Sequence, residues 1–176
     1  LNKAVSEQAD VIFCPVSIAY ATHIVCLAAS MGLDIPLLGS DTLDSNVVLE
    51  AAQGSNVQLY VSTFYQEGGS PKFDDGIKAW LNEDSTAMTN NGGNDTIAAV
   101  TAMGYDAYYV ALEALKAAGS TDKAAVKAAL PDVTYTGVSG SIAFDEQGDA
   151  IRDTAYIKTA DTANNAWTLE TVQTVE

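Results

Sequence analysis

The feature that most constrains the fold is a strand, helix and strand pattern within the first 39 residues. Residues 11–16 read VIFCPV, a short apolar run typical of a strand covered on both faces, and Pro15 ends it. Apolar residues recur at helical spacing over residues 18–31, and Gly32 follows where a left-handed C-cap belongs. Residues 35–38 form a second apolar strand. The pattern predicts a βαβ unit whose two strands are parallel and joined by a right-handed crossover.

The character of the chain changes after residue 64. Before that point, the sequence predicts a short helix over residues 46–53, capped by Ser45, and an alternating strand over residues 57–64. A hinge-like connector, GGSP, follows at residues 68–71. Three helices are then predicted, over residues 73–81, 97–118 and 122–130, the last capped by Ser120 or Thr121.

The middle block of helices lacks a sheet of its own in this interpretation. Its apolar positions, which need a sheet to cover, include Ile97, Val100, Tyr108, Ala111 and Leu115. The segment NNGGND at residues 90–95 is interpreted as a flexible surface loop. Strands return in the tail, with turns at DEQGD and around DTANN. They are predicted at residues 141–144, 154–159 and 167–172.

Composition and charge exclude several classes of partner. The chain has 176 residues, 48% of them apolar, which is enough for a buried core. Eight Lys and Arg against 23 Asp and Glu give a net charge of −15, which repels nucleic acid and anionic membrane surfaces. No apolar run approaches the roughly 18 residues of a membrane span, and the first residues lack a signal-peptide pattern. Residues 1–8 read as the tail of a helix, so we expect a chain cut from something longer.

Few side chains are suited to catalysis or zinc binding. Cys14 and Cys26 form no CxxC pair, which argues against zinc, and we interpret both as buried apolar residues, with a disulfide between them left open. His23, the only histidine, lies inside the first helix and is interpreted as structural. A Walker loop and a GxGxxG sequence after a strand are both lacking. The sequence therefore predicts no enzyme, no catalytic residue and no cofactor.

Two acidic clusters could suggest calcium. One comprises Asp74 and Asp75, and the other Asp145, Glu146 and Asp149. Their spacing does not fit an EF-hand loop, and DEQGD is typical of a hairpin turn. We therefore predict no metal site.

A binding site is predicted at the ends of the first two strands, because ligands of open α/β sheets bind beyond the carboxyl ends of parallel strands. Ser17 and Ile18 follow the first strand, where a helix begins. Ser40 and Asp41 follow the second. A hydroxyl, a helix N-terminus and a carboxylate together suit a small ligand with a cationic amine. On position alone, Asp41 fits an ordinary turn aspartate equally well.

Three segments resemble, in order, the type I periplasmic binding proteins that capture leucine, isoleucine and valine. These are ADVIFCPVSIAYATHIVCLAASMGLDIPLLGSD, GYDAYYVALEALKAAGS and GSIAFDEQGDA. The resemblance implies an α/β fold of two lobes joined by three crossovers, present here without its N-terminal half. Residues 1–66 would belong to the second lobe, residues 67–142 to helices of the first, and residues 143–176 to strands that return to the second.

The same resemblance implies roles for particular residues. Asp41 matches the acidic position that receives the ligand's α-amino group. Tyr105 matches an aromatic residue that closes on the ligand from the first lobe, with Asp106 as a supporting acceptor. Ser17 stands where the family has a tyrosine, which leaves the side-chain preference open. The groups for the ligand's carboxylate would lie largely in the missing half.

The implied function is that of an extracytoplasmic substrate-binding component of an ABC transporter, in the periplasm or as a surface lipoprotein. It would capture a branched-chain-like amino acid or a related amine-bearing small solute for a membrane permease, and the full-length protein would carry a signal peptide. A ligand-sensing domain of a receptor or regulator remains an alternative, because the fold serves that role too. An enzyme of the α/β hydrolase type would require His23 beside Ser17. The chain alone would expose apolar helix faces or associate with another copy.

Overall fold

A five-stranded mixed sheet is the centre of the computed structural model, which describes residues 1–174. Three strands near the start of the chain pair in parallel, and two from its end extend the sheet antiparallel, in the order β1-β2-β3-β7-β8. The strands are β1 (Ile12–Cys14), β2 (Leu37–Gly39), β3 (Leu59–Thr63), β7 (Thr154–Asp161) and β8 (Ala166–Thr174). The predicted βαβ unit is confirmed, with shorter strands than the apolar runs suggest.

The helices of this part are α1 (Asn2–Ser6), α2 (Ile18–Met31) and α3 (Asn46–Ala52). α2 has the predicted bounds and ends at Gly32, whose φ of 59° requires the left-handed region that glycine tolerates. α3 begins at its predicted cap, since Ser45 Oγ accepts the amide of Val47 at 3.3 Å. The main core lies between α2, α3 and the parallel strands. It includes Ala21, Val25, Ala28, Leu37, Leu43, Val48, Leu59 and Val61.

The middle of the chain forms four helices and a small antiparallel sheet in the order β4-β5-β6. The helices are α4 (Pro71–Glu83), α5 (Ser85–Asn90), α6 (Ala99–Ala118) and α7 (Lys123–Ala129). The strands are β4 (Tyr135–Gly137), β5 (Gly140–Phe144) and β6 (Ala150–Ile151), and short 3₁₀ turns lie at Asp41–Leu43 and Leu130–Asp132. Within residues 1–174, none of the helices combines the length and apolar character that a membrane crossing requires.

This small sheet corrects the expectation that the middle helices have no strand of their own. α6 packs against β4, and Val110 and Ala114 of α6 share a core with Val133 and Ile142. The predicted boundary at residue 142 falls inside β5, which pairs with β4 on one side and with β6 on the other. The sequence pattern missed β4 because three residues are too few to show an alternation. Another face of α6 stays uncovered, with Val100 and Tyr108 exposed.

The segment around residues 90–95 is not a free loop, contrary to expectation. Its first residue, Asn90, ends α5, a helix that the sequence pattern did not predict. Asp84 caps this helix by accepting the amides of Thr86 and Ala87. The buried Asn46 amide donates to the carbonyls of Asn91 at 2.9 Å and Thr96 at 3.0 Å. The segment is therefore fastened to the beginning of α3.

The cap of α7 also differs from the prediction. Asp122 caps this helix in place of Ser120 or Thr121, by accepting the amides of Ala124 and Ala125. A carboxylate at this position suits the positive end of the helix dipole.

The two cysteines differ in environment and form no disulfide in the described part of the chain. Cys14 is buried in the main core as expected, and burial raises the pKa of its thiol above the usual value. Cys26 is exposed on α2, which corrects the expectation of two buried cysteines.

The fold makes a specific prediction for Asn46. Replacement by Ala removes the donor for two carbonyls, one of which, that of Asn91, has no other donor among the bonds described. We expect Asn46→Ala to lower the free energy of unfolding by about 1–3 kcal/mol in urea denaturation. Asn56→Ala, at an exposed loop position, is the matched control and should change it by less than about 0.5 kcal/mol. Equal effects of the two substitutions would contradict the fastening role of Asn46.

Candidate functional site

The loops that follow β1 and β2 lie side by side at one edge of the sheet. Parallel pairing aligns Cys14 with Gly39, so both strands end at the same level. The two loops are bonded to each other, since Thr42 Oγ1 donates to the carbonyl of Val16 at 2.8 Å. Thr42 Oγ1 also lies 3.0 Å from Ser40 Oγ. The structure therefore brings together the two loops that the sequence analysis assigned to a ligand.

Ser17 and Ile18 form the first wall of this candidate site. Ser17 is the N-cap of α2, its carbonyl accepts the first helical amides, and its side chain makes no capping bond. Its hydroxyl is exposed at the positive end of a 14-residue helix. Ile18 is half-buried and packs against the main core, so it anchors the helix start beside the site.

Asp41 begins the 3₁₀ turn that forms the second wall. The turn packs tightly against the end of β2. The fully buried side chain of Leu43 lies so close to Gly39 that a Cβ at this position would overlap it. Asp41 itself is partly exposed, and no ion pair within residues 1–174 involves it. Asp41 therefore lies directly after the end of β2, outside the ion pairs of residues 1–174.

Tyr105 lies on a different wall, in the middle of α6. It is 40% exposed, and its ring centroid lies 5.0 Å from that of Phe73 and 4.9 Å from that of Tyr109. The Tyr109 hydroxyl lies 3.4 Å from the Tyr105 hydroxyl and is the main cause that raises the pKa of Tyr105. Tyr105 borders a cavity of about 320 Å³ that Asp41 does not line. The cavity is lined by Ser70, Lys72, Phe73, Gly76, Ile77, Tyr105 and Val138.

α6 nevertheless contacts the 3₁₀ turn that begins at Asp41, so the helix that carries Tyr105 borders the strand-end site. The structure groups Ser17, Ile18, Ser40 and Asp41 closely, and places Tyr105 beyond them on a neighbouring element.

Asp106 has a structural position in the described part of the chain, and its expected role as a supporting acceptor for the ligand stays a prediction. It is 0% exposed, and its carboxylate accepts the amide of Val138 at 2.9 Å and the amide and hydroxyl of Ser139 at 2.8 and 2.5 Å. A Cβ at Gly137 would overlap this carboxylate. Asp106 therefore holds the turn between β4 and β5 through three hydrogen bonds.

The acidic clusters and the histidine also have local explanations. Buried Asp74 accepts the hydroxyl of Tyr65 at 2.5 Å and the amide of Gly68 at 2.8 Å, and so fastens the connector. Burial and this bond raise the pKa of Tyr65. Asp145 accepts the amides of Gln147 and Asp149, as the turn interpretation of DEQGD predicts. Side chains of His, Cys, Asp and Glu form no group of three or more that could hold a metal in residues 1–174. His23 is exposed on α2.

A buried ion pair behind the Asp41 turn escaped the sequence analysis. Lys158 Nζ donates to Asp44 Oδ2 at 2.9 Å, and both side chains are almost fully buried. The available signal was a single lysine inside the strand sequence TAYIKTA, since an unpaired lysine is rare in a covered strand. Its partner, 114 residues away, could not be identified from spacing.

Comparisons with known proteins agree with this architecture. The profile of a family described as periplasmic binding protein matches residues 1–165. The leucine-binding protein LivK of Thermotoga maritima is 25% identical with a TM-score of 0.75, over 98% of this chain and 47% of that one. LivJ of Streptococcus pneumoniae, solved with isoleucine, is 22% identical with a TM-score of 0.64, over 99% of this chain and 47% of LivJ.

A third solved structure binds a different ligand. The solute-binding protein of an ABC transporter from R. palustris, in complex with benzoate, is 15% identical with a TM-score of 0.73, over 99% of this chain and 46% of that one. The likenesses to LivJ and to the R. palustris protein, both below 25% identity, show the fold alone. The chain spans about half the length of these proteins. No curated protein matches it.

The different environments of Asp106 and Asp41 give opposite expectations for stability. Asp106→Ala removes an acceptor from three donors and should lower the free energy of unfolding by at least about 3 kcal/mol in urea denaturation. Asp41→Ala, at a partly exposed carboxylate, should change it by less than about 1 kcal/mol. A small effect of Asp106→Ala would instead favour the predicted ligand-binding role of that residue.

Proposed function

Since the chain belongs to the periplasmic binding protein family, we propose that it is part of the solute-binding subunit of an ABC transporter. The solute is an amino acid or a related amine-bearing small molecule, and Asp41 binds its amino group. The observation that most supports this is the partly exposed Asp41 carboxylate, which lies at the carboxyl edge of three parallel strands and takes part in none of the ion pairs of residues 1–174.

The chemistry of the site suits an ammonium group. Ammonium has three donors and no acceptor, so it pairs with a carboxylate and with hydroxyl oxygens. Asp41 provides the carboxylate, and the hydroxyl of the adjacent Ser40 is an additional acceptor. The exposed Ser17 hydroxyl and the N-terminus of α2 face a ligand as donors, and suit its polar or anionic end. The solute is bound and released without chemical change.

The site is completed in a two-lobed protein. Residues 1–66 and the strands β7 and β8 form one lobe, and the segment from residue 67 contributes to the other. Closure of the lobes brings α6 and the ring of Tyr105 onto the ligand. Because the closed state makes these additional contacts, ligand binding shifts the protein toward it. The closed protein delivers its solute to a membrane permease on the extracytoplasmic side.

Aromatic carboxylates are a second candidate class of ligand. Phe73, Tyr105 and Tyr109 form consecutive ring contacts at centroid distances of 5.0 and 4.9 Å, beside a cavity of about 320 Å³. Such a cluster can stack on a flat ring. An aromatic carboxylate has no amino group and would not need Asp41. A substitution of Asp41 therefore distinguishes the two classes of ligand.

Asp41→Asn tests the proposal in the complete protein that contains this chain. The substitution keeps the shape of the side chain and removes its charge. A charge-assisted hydrogen bond contributes about 1.5–3 kcal/mol, so we expect the affinity for a bound amino acid to fall by about 10- to 100-fold. Isothermal titration calorimetry with the aliphatic amino acids and benzoate measures this change.

The matched control is Asp34→Asn, at an exposed aspartate before the amino end of β2. It makes the same change of charge at the opposite edge of the sheet and should leave the affinity unchanged. Tight amino-acid binding that is equal in the wild type and in Asp41→Asn would remove Asp41 from the site. Binding of benzoate and of no amino acid would favour the aromatic class.

A further inference from the structure

The Asp44–Lys158 ion pair has an environment unlike that of the other charged groups. The side chains of Lys158 and Asp44 are 4% and 0% exposed, whereas those of the other three ion pairs described are 25% exposed or more. Thr63, also fully buried, donates its hydroxyl to the same Asp44 Oδ2 at 2.7 Å. The second oxygen, Oδ1, is buried without a hydrogen-bond partner among the described residues.

Such a pair is weak evidence for a contribution to stability. Removing two charges from water costs more than their attraction returns unless every lone pair is satisfied, and Asp44 Oδ1 is not. Apolar side chains of similar size can often replace a buried pair without loss of stability. Apolar contacts do not fix the orientation of a side chain. An ion pair with two hydrogen bonds does, because it determines where one carboxylate oxygen must lie.

The pair connects the Asp41 turn with two strands of the main sheet. The amide of Asp44 donates to the carbonyl of Asp41 at 3.0 Å, so Asp44 closes the turn that Asp41 opens. Lys158 lies on β7 directly opposite Val61 of β3, and Thr63 lies two residues further along β3. The side chain of Asp44 thus joins the turn to the antiparallel pair of strands β3 and β7, near the centre of the sheet.

We propose that Lys158 and Asp44 are positioning residues of the ligand site: Lys158 acts through Asp44 to hold the turn that presents the Asp41 carboxylate. Thr63 is the second anchor of the same oxygen. This inference rests on the proposed function, because it assigns to the pair the placement of the amine-binding group. It predicts that the affinity for an amine-bearing ligand depends on the pair even where folding does not.

The test replaces both charges at once in the complete protein that contains this chain. Asp44→Leu with Lys158→Met leaves no unpaired charge in the core. The matched control is Glu113→Leu with Lys116→Met, which likewise replaces an acid by Leu and a lysine by Met, at an exposed ion pair with an N···O distance of 2.6 Å on α6. Calorimetry with leucine reports Kd and stoichiometry separately, and an irreversibly unfolded fraction lowers only the stoichiometry. A reversibly unfolded fraction would raise the apparent Kd, so urea denaturation of the same variants measures that fraction and corrects for it.

We expect the core double variant to unfold cooperatively, to keep a stoichiometry near that of the wild type and to bind leucine at least about tenfold more weakly, equivalent to about 1.4 kcal/mol. Hydrogen exchange of the amides of residues 42–46 should be faster in this variant without ligand, and unchanged in the control. Lys158→Arg, which keeps the positive charge, should bind leucine more tightly than Lys158→Met.

An affinity within twofold of the wild type, together with unchanged exchange in the turn, would overturn the inference. Should the double variant fail to fold, Asp44→Asn with Lys158→Gln, which also leaves no unpaired charge, carries the same comparison of Kd and exchange. A wild-type protein that binds no leucine would count against the proposed amino-acid ligand. The exchange rates of the turn would then still decide whether the pair positions it, because they are measured without ligand.

Discussion

Parallel pairing of β1, β2 and β3 is the constraint on which the rest of the structure depends. It requires the chain to return through α2 and α3 on one side of the sheet, and these returns provide the main core. It also makes all three strands end at the same edge, where their loops must meet. At this edge the Thr42 hydroxyl bonds to the carbonyl of Val16 and joins two loops that are distant in sequence. The candidate site therefore follows from the sheet topology more than from any single motif.

The chain leaves this sheet after β3 and rejoins it at β7, and partly buried polar contacts hold both passages. Arg152, just before β7, places its guanidinium 5.1 Å from the ring centroid of Phe64, just after β3, and donates to the carbonyl of Ser139 at 2.8 Å. Ser139 in turn binds Asp106 on α6. These contacts connect the two passages with the helix that carries Tyr105. A motion of one part of the molecule relative to the other therefore has to keep these contacts or break them.

Local patterns were sufficient for the elements that are long or carry a clear cap. The bounds of α2 and the Ser45 cap of α3 follow from helical spacing and from one hydroxyl. Short elements were missed, because α5 and β4 contain too few residues to show a period. The exposure of Cys26 depends on which face of α2 the sheet covers, which its residue type does not reveal. The carboxyl edge of the strands was predictable from topology, and the structure joins its two loops there.

Non-local polar contacts were beyond sequence reasoning for a physical reason. The Asp44–Lys158 pair and the Asp106–Ser139 bonds join positions 114 and 33 residues apart, and the spacing of charges along a chain contains no record of such pairing. Asp106 illustrates the consequence, since its neighbour Tyr105 is partly exposed while Asp106 faces a turn. Adjacent residues on a helix point in directions about 100° apart, so one can face a ligand while the other is structural.

We propose that Asp41, at the edge of the parallel strands, binds the amino group of a small solute. The most direct measurement compares leucine with 4-methylpentanoate, which has the same carbon skeleton and carboxylate and lacks the amine, by calorimetry on the complete protein that contains this chain. The account predicts that leucine binds at least about tenfold more tightly. Equal affinities, or tighter binding of 4-methylpentanoate, would contradict it.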